Sequence, residues 1–146
     1  MSSKVKKILL GSLLFVIILI ASSAFFLYNK GPVDIKNSKG IAVLATDLYT
    51  LYSSDSLQAG KKYNDQVLVV HGEVQEVSLN SQQQKIILLK TETPEAFINC
   101  TLEEPGENIK PTDKISIKGI CSGIGQGYPD MGISGDVYLT RCFISK

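Results

Sequence analysis

Val67–Leu79, VLVVHGEVQEVSL, is the stretch of the chain that decides the fold. It is rich in valine, contains Gly72 and, at thirteen residues, is about twice as long as a usual strand. A long first strand with an internal glycine is how small barrels bend one strand across two sheets. The stretch therefore predicts the first strand of a small β-barrel.

Four shorter strands are predicted after it, separated by polar turns and by loops with proline or glycine: Lys85–Thr91, Ala96–Leu102, Asp113–Ser122 and Asp136–Ile144. Five strands of these lengths predict a mainly β fold, a closed barrel of the OB type over residues 66–146. In that topology the fifth strand lies between the third and the fourth.

The N-terminal segment predicts a membrane anchor over residues 1–29. Ile8–Tyr28 contains no charged residue, and at about 1.5 Å per residue a helix of this length spans roughly 31 Å, the thickness of a bilayer core. Lys4, Lys6 and Lys7 precede it and favour insertion with the C-terminal side out. We therefore expect the domain beyond it to be exported, into the periplasm or another extracytoplasmic space.

A cleaved signal peptide is the alternative for this segment. Ile8–Ile20 has the length of a signal-peptide core, and small residues suitable for cleavage follow at Ala21–Ala24. Cleavage would leave a secreted protein. The apolar run continues past that point to Tyr28, which favours the uncleaved anchor.

A linker and a helical arm are predicted over residues 30–65. Lys30–Lys39 resembles a short linker. Helical spacing then follows from Ile41 to Tyr52, with Asn37 or Ser38 as the N-cap, and Asp55 is suited to cap a second short helix that ends at Tyr63. The arm is expected to pack against the barrel, and a partner-binding surface is the alternative.

The charge of the exported part disfavours nucleic acid as its partner. Beyond residue 29 the chain has 12 basic and 14 acidic residues, a net charge of −2. Nucleic-acid binders present a basic patch or groove, and the only basic doublet here is Lys61-Lys62.

The three cysteines, Cys100, Cys121 and Cys142, leave one thiol over after one disulfide. The OB topology places Cys142 beside both other strands, and the favoured pair is Cys121–Cys142, which would stabilise the domain by about 3 kcal/mol. Three reduced core thiols are the alternative. The spacing matches no zinc pattern, so we expect no metal and no cofactor.

The glycine-rich loop Gly123–Gly135 is the most distinctive soluble feature. In an OB barrel it joins strands four and five beside the usual ligand face. Tyr128 and Met131 are suited to stack on or pack against a ligand, and Gln126 adds a polar group. A flexible connector is the alternative to a binding loop.

His71, the single histidine, lies in the long strand. It is interpreted as a hydrogen-bonded strand residue or as part of a binding face. The sequence has no Cys-x-x-Cys, no Ser/His/Asp set and no paired carboxylates at informative spacing, so no catalytic residue is predicted.

Several short motifs carry a family resemblance: Tyr63-x-x-x-Val67, His71-Gly72-x-Val74, Lys118-Gly119-x-Cys121-x-Gly123 and Asp136-Val137-x-Leu139-x-x-Cys142. From Tyr63 to its end the chain resembles the bacterial tRNA-anticodon-like OB-fold family of small membrane-anchored proteins. The resemblance implies the OB fold, and its name implies no RNA binding. The long glycine-rich loop departs from the family pattern.

These features together predict a noncatalytic, membrane-anchored and exported OB-fold module that binds a protein, a peptide or an envelope glycan. The alternative is a protein that binds single-stranded nucleic acid, as many OB barrels do. The net charge of −2 and the lack of tryptophan argue against the alternative.

Overall fold

A computed structural model of the chain describes residues 3–29, 33–106 and 108–145. Two compact units are present, Met1–Val33 and Asp34–Lys146. The second unit contains both the helical arm and the barrel.

The first unit consists of the helix α1, Ser3–Tyr28. Its segment Lys7–Tyr28 is, by length and composition, apolar enough to cross a membrane, as a signal sequence would also be. Three serine hydroxyls within α1 donate to a backbone carbonyl three residues earlier, at 2.9–3.0 Å: Ser12, Ser22 and Ser23. These polar side chains are thus hydrogen-bonded within the helix.

The described residues of the second unit form six strands, two helices and a 3₁₀ turn. In chain order they are β1 Ile41–Leu44, α2 Ala45–Ser54, α3 Ser56–Tyr63, β2 Val67–Leu79, β3 Lys85–Lys90, β4 Phe97–Leu102, β5 Lys114–Ile124, the 3₁₀ turn Pro129–Met131 and β6 Val137–Ser145. The strand order is β1-β2-β3-β4-β6-β5, and a further pairing of β2 with β5 closes the barrel. The predicted five-stranded OB barrel is therefore confirmed, including the position of the last strand between its two neighbours.

The long strand β2 belongs to both sides of the barrel. Its first half, Val67–Glu73, pairs with β5, and from Val74 onward it pairs with β3. The change of partner follows Glu73, one residue after Gly72. A Cβ at Gly72 would lie 3.0 Å from the Ala45 Cβ and 3.3 Å from Leu89, so the glycine makes room for the start of α2 and for β3.

Side chains that alternate along the strands fill the barrel. Those that are fully shielded from solvent include Leu68, Val70, Val74, Ile87, Leu89, Ile98, Ile117, Val137 and Leu139. Strand residues between them face outward, as the period of two requires. The three cysteines lie in this core as well.

The helical arm closes the barrel with aromatic side chains. Tyr49, Tyr52 and Tyr63 are buried in the same core as the strands. Asp55 caps α3, and its carboxylate accepts the Gln58 N–H at 3.0 Å, which confirms the predicted cap. The arm therefore packs against the barrel, as expected.

The predicted first helix of the arm is wrong at its N-terminal end. Ile41–Leu44 forms strand β1, which pairs in parallel with Leu68–His71 of β2, and the helix begins only at Ala45. Helical spacing of the apolar residues suggested a longer helix, but the backbone groups of residues 41–44 are satisfied by the neighbouring strand instead.

Candidate functional site

The glycine-rich connection between β5 and β6 is a narrow hairpin rather than an open loop. We call residues 125–136 the β5–β6 hairpin. The Gly125 N–H donates to the Asp136 carbonyl at 2.8 Å, and Tyr128 and Ile133 exchange two backbone hydrogen bonds of 2.8 and 3.1 Å. The 3₁₀ turn Pro129–Met131 forms the tip, and it ends at Gly132 in the left-handed conformation with φ of 68°.

Glycines allow the two arms of the hairpin to approach each other closely. A Cβ at Gly135 would lie 2.0 Å from the Gly125 carbonyl oxygen, and one at Gly127 would lie 2.4 Å from the Ile133 carbonyl oxygen. Larger residues would therefore force the arms apart. The glycine-rich sequence of this segment therefore allows close backbone contact between the two arms of the hairpin.

Apolar side chains at the tip of the hairpin face solvent. Tyr128 is 65% exposed and Met131 is 75% exposed. Gln126, the third residue predicted for this site, is exposed as well. The three predicted loop residues thus lie on one short hairpin that projects from the barrel.

The hairpin adjoins the outer face of the barrel. The Tyr138 ring, 42% exposed, covers Gly125, where an added Cβ would come within 2.7 Å of the ring. Tyr138 is aligned with Asn99 of β4, which in turn is aligned with Leu88 of β3. We call Tyr128, Met131, Ile133 and Tyr138 the hairpin surface, and it continues onto the half-buried outward residues of β3 and β4.

A side chain holds the base of the hairpin to the next strand. The Asp136 carboxylate accepts the Phe97 N–H at 3.0 Å. The bond joins the start of β4 to the residue before β6, which fixes where the hairpin leaves the barrel.

Two cations on strands β3 and β6 are paired with glutamates. Lys90 lies 2.6 Å from Glu73, and Arg141 lies 3.2 Å from Glu103. Neither of these two cations is therefore free to follow a phosphate backbone.

His71 lies far from the hairpin, so the structure does not bring all the predicted site residues together. It is aligned with Ser116 near the start of β5, whereas the hairpin follows Ile124 at the end of that strand. Eight residues of β5, roughly 26 Å along the strand, separate the two positions in the sheet. The His71 Nδ1 lies 2.6 Å from the Ser116 Oγ.

The three cysteines are buried free thiols in the structure. A hydrogen bond with Cys142, together with burial, raises the pKa of the Cys100 thiol well above its usual value. Burial also raises the pKa of Cys121, whose Sγ lies 3.2 Å from the Tyr52 hydroxyl. Neutral thiols are poor nucleophiles, so none of this supports a catalytic cysteine.

The Cys121–Cys142 disulfide stays a prediction, because oxidation depends on the compartment. For protein isolated from the envelope without reductant, we expect alkylation to label one cysteine and leave two in a bridge. Mass analysis of the bridged peptides would distinguish Cys121–Cys142 from Cys100–Cys142. Alkylation of all three thiols would contradict the prediction.

In the described part of the chain, no group of three or more His, Cys, Asp or Glu side chains could hold a metal ion.

A family comparison fits this architecture. The tRNA_anti-like family model matches residues 1–130, which include the apolar helix, the arm and most of the barrel. The chain belongs to the tRNA_anti-like family. The last strand β6 lies beyond the match, and the structure supplies it as the strand between β4 and β5. The OB fold of the tRNA_anti-like domain is a binding fold rather than a typical catalytic one. No curated protein matches the chain.

Proposed function

We propose that this tRNA_anti-like protein is a noncatalytic, membrane-anchored binding module, exported by α1, whose hairpin surface binds a protein, a peptide or an envelope glycan. The observation that carries the proposal is the exposure of Tyr128 and Met131 at the tip of a hairpin with its own backbone hydrogen bonds. The two residues lie on the same turn, where the Met131 N–H donates to the Tyr128 carbonyl, and exposed apolar patches mark binding surfaces.

The chemistry of the surface indicates the kind of partner. Tyrosine and methionine are enriched at protein interfaces, and tyrosine also stacks on the apolar face of a sugar ring while its hydroxyl remains available for hydrogen bonds. Gln126 adds an uncharged polar group on the same hairpin. A partner with apolar and hydrogen-bonding groups suits this surface better than a polyanion.

The paired cations argue against the alternative, single-stranded nucleic acid. OB barrels that bind single strands combine stacking aromatics with a positively charged groove. Here Lys90 and Arg141 pair with glutamates, and Asp130 and Asp136 lie on the hairpin itself. Binding to a labelled oligonucleotide that fell steeply with added salt would support the alternative.

Replacement of Tyr128 and Met131 by alanine tests the proposal. We expect the full-length double variant, in neutral detergent, to lose most of its binding to envelope proteins or to purified cell-wall glycan, tested in separate arms. Its free energy of unfolding should stay within about 0.5 kcal/mol of the parent, because both side chains are exposed.

Leu57→Ala is the matched control, because Leu57 is 77% exposed and belongs to α3 rather than to the hairpin. It should bind as the parent does. The proposal fails if the control and the double variant bind equally, or if the double variant loses stability in proportion to binding.

A further inference from the structure

A second cleft in the barrel, of about 470 Å³, lies around His71. We call it the His71 cleft. Its apolar wall includes Leu44, Ala45 and Ile115, from the end of β1, the start of α2 and β5. The volume falls in the range of small-molecule sites, and the combination of an apolar wall with a few convergent polar groups is typical of them.

Strand register brings the polar groups of this cleft together. On the antiparallel strands β2 and β5, His71 is aligned with Ser116, and Glu73 is aligned with Lys114. Lys90 reaches across from β3 to bond the Glu73 carboxylate at 2.6 Å. Side chains from three strands therefore converge on one cleft.

The cleft has more positive than negative charge. Lys90 and Lys114 face a single carboxylate, Glu73, whose pKa is lowered by the hydrogen bond from Lys90, by the charge of Lys90 and by the charge of Lys114. Among the described residues, no hydrogen bond or ion pair holds the Lys114 ammonium. The two lysines and the one glutamate that line the cleft thus leave one cation uncompensated.

The His71–Ser116 pair adds polar groups beside that cation. Contact with the Ser116 Oγ engages the Nδ1 of the ring, so the Nε2 is the nitrogen available to a ligand. No described carboxylate hydrogen-bonds to His71, so the pair lacks the third group that orients the base in a nucleophilic triad. The arrangement supports binding rather than catalysis.

A larger cleft of about 720 Å³ on the same barrel has the same charge count, two lysines and one glutamate, but both of its lysines have partners within the protein. Its Lys36 pairs with Glu104 and lies over the Phe143 ring at 4.8 Å. Its Lys118 donates to the Lys36 carbonyl at 2.9 Å. Both lysines are engaged within the protein, which makes the His71 cleft the better anion site.

We propose that the His71 cleft binds the anionic oxygen group, phosphate or carboxylate, of a small ligand. Lys114 supplies the main attraction, Ser116 and His71 hydrogen-bond the group, and the apolar wall at Leu44 and Ile115 contacts the remainder of the ligand. The site is independent of the hairpin surface, which follows the opposite end of β5.

Titration of the ¹⁵N-labelled full chain with inorganic phosphate and, separately, with acetate tests this proposal by NMR. The chain is held in a nonionic detergent, and chloride keeps the ionic strength constant. We expect saturable shifts of the Gly72 and Ser116 amides with at least one of the two anions. Saturation by phosphate alone would identify a phosphate ester, and saturation by acetate alone a carboxylate.

Lys114→Gln should weaken that binding about tenfold, as expected for loss of a charged contact. Lys114→Arg, which retains the charge, should bind within a fewfold of the parent. Lys61→Gln, at an exposed lysine on α3, is the matched control and should leave the titration unchanged. Absence of saturation with both anions, or equal weakening by the variants at positions 61 and 114, would overturn the proposal.

Discussion

Gly119→Ala is expected to destabilise the barrel by about 3 kcal/mol, because it adds a methyl group where the core has no room. The added Cβ would lie 2.5 Å from the Cys142 Sγ and 3.1 Å from the Thr140 carbonyl oxygen. Both neighbours are on β6, and Gly119 lies at a shift in the register between β5 and β6. The midpoint of thermal unfolding, followed by circular dichroism at 222 nm and at 215 nm, should fall by roughly 10 °C.

Two further variants make this prediction specific. Gly11→Ala lies in α1 with nothing within 4 Å of the added methyl, and it should leave the barrel transition unchanged. Cys142→Ala combined with Gly119→Ala removes the nearest atom, so the pair should be more stable than the sum of the two single effects predicts. Strict additivity, or an unchanged midpoint for Gly119→Ala, would contradict the packing described here.

Leu14→Arg combined with Ile18→Arg should prevent membrane insertion of the protein. Both residues lie near the middle of the apolar segment of α1, where each arginine costs about 2.5–3.5 kcal/mol. We expect the double variant to leave the membrane fraction and to remain in the cytoplasm. Leu14→Ile with Ile18→Leu keeps the segment apolar and should fractionate like the parent.

Intact mass of the parent separates the two interpretations of this segment. An uncleaved anchor retains all 146 residues, whereas cleavage near Ala21–Ala24 would release a shorter protein into the soluble exported fraction. Membrane association that survived both arginines would contradict the role assigned to α1.

The barrel was predictable because its signals are local. Alternation of apolar and polar residues locates each strand, and the length of Val67–Leu79 indicates that one strand serves two sides of the barrel. The position of Gly72, just before β2 changes its partner, follows from the same reasoning.

Strand β1 was missed because its signal is not local. Ile41, Leu44, Ala45 and Leu48 fit helical spacing, yet Ile41 and Leu44 are exposed and their backbone pairs with Leu68–His71, more than twenty residues away. Short apolar runs do not distinguish helix from strand by period alone, and here the tertiary pairing decides.

The candidate sites also combine features that the sequence predicts locally with features that depend on tertiary contacts. Tyr128 and Met131 could be selected from the sequence because a glycine-rich loop at this place in an OB barrel flanks the ligand face. The hairpin within the loop was not foreseen, since it depends on close backbone contacts at Gly127 and Gly135.

The His71 cleft could not be predicted from the sequence without the register of the strands. Its sequence signal is a pair of polar residues two apart on each strand, His71 with Glu73 and Ser116 with Lys114, which places each pair on one face. Only the register of β2 against β5 shows that the two pairs lie opposite each other.

Protease accessibility of a C-terminal tag tests the central claim, an exported module held at the membrane, most directly. The cells keep an intact cytoplasmic membrane, any outer layer is made permeable, and a cytoplasmic protein serves as the control. The account predicts that the tag sediments with membranes and is cleaved while the control stays intact. A tag that becomes cleavable only after lysis would place the barrel in the cytoplasm, contradict the account and favour nucleic acid as the partner.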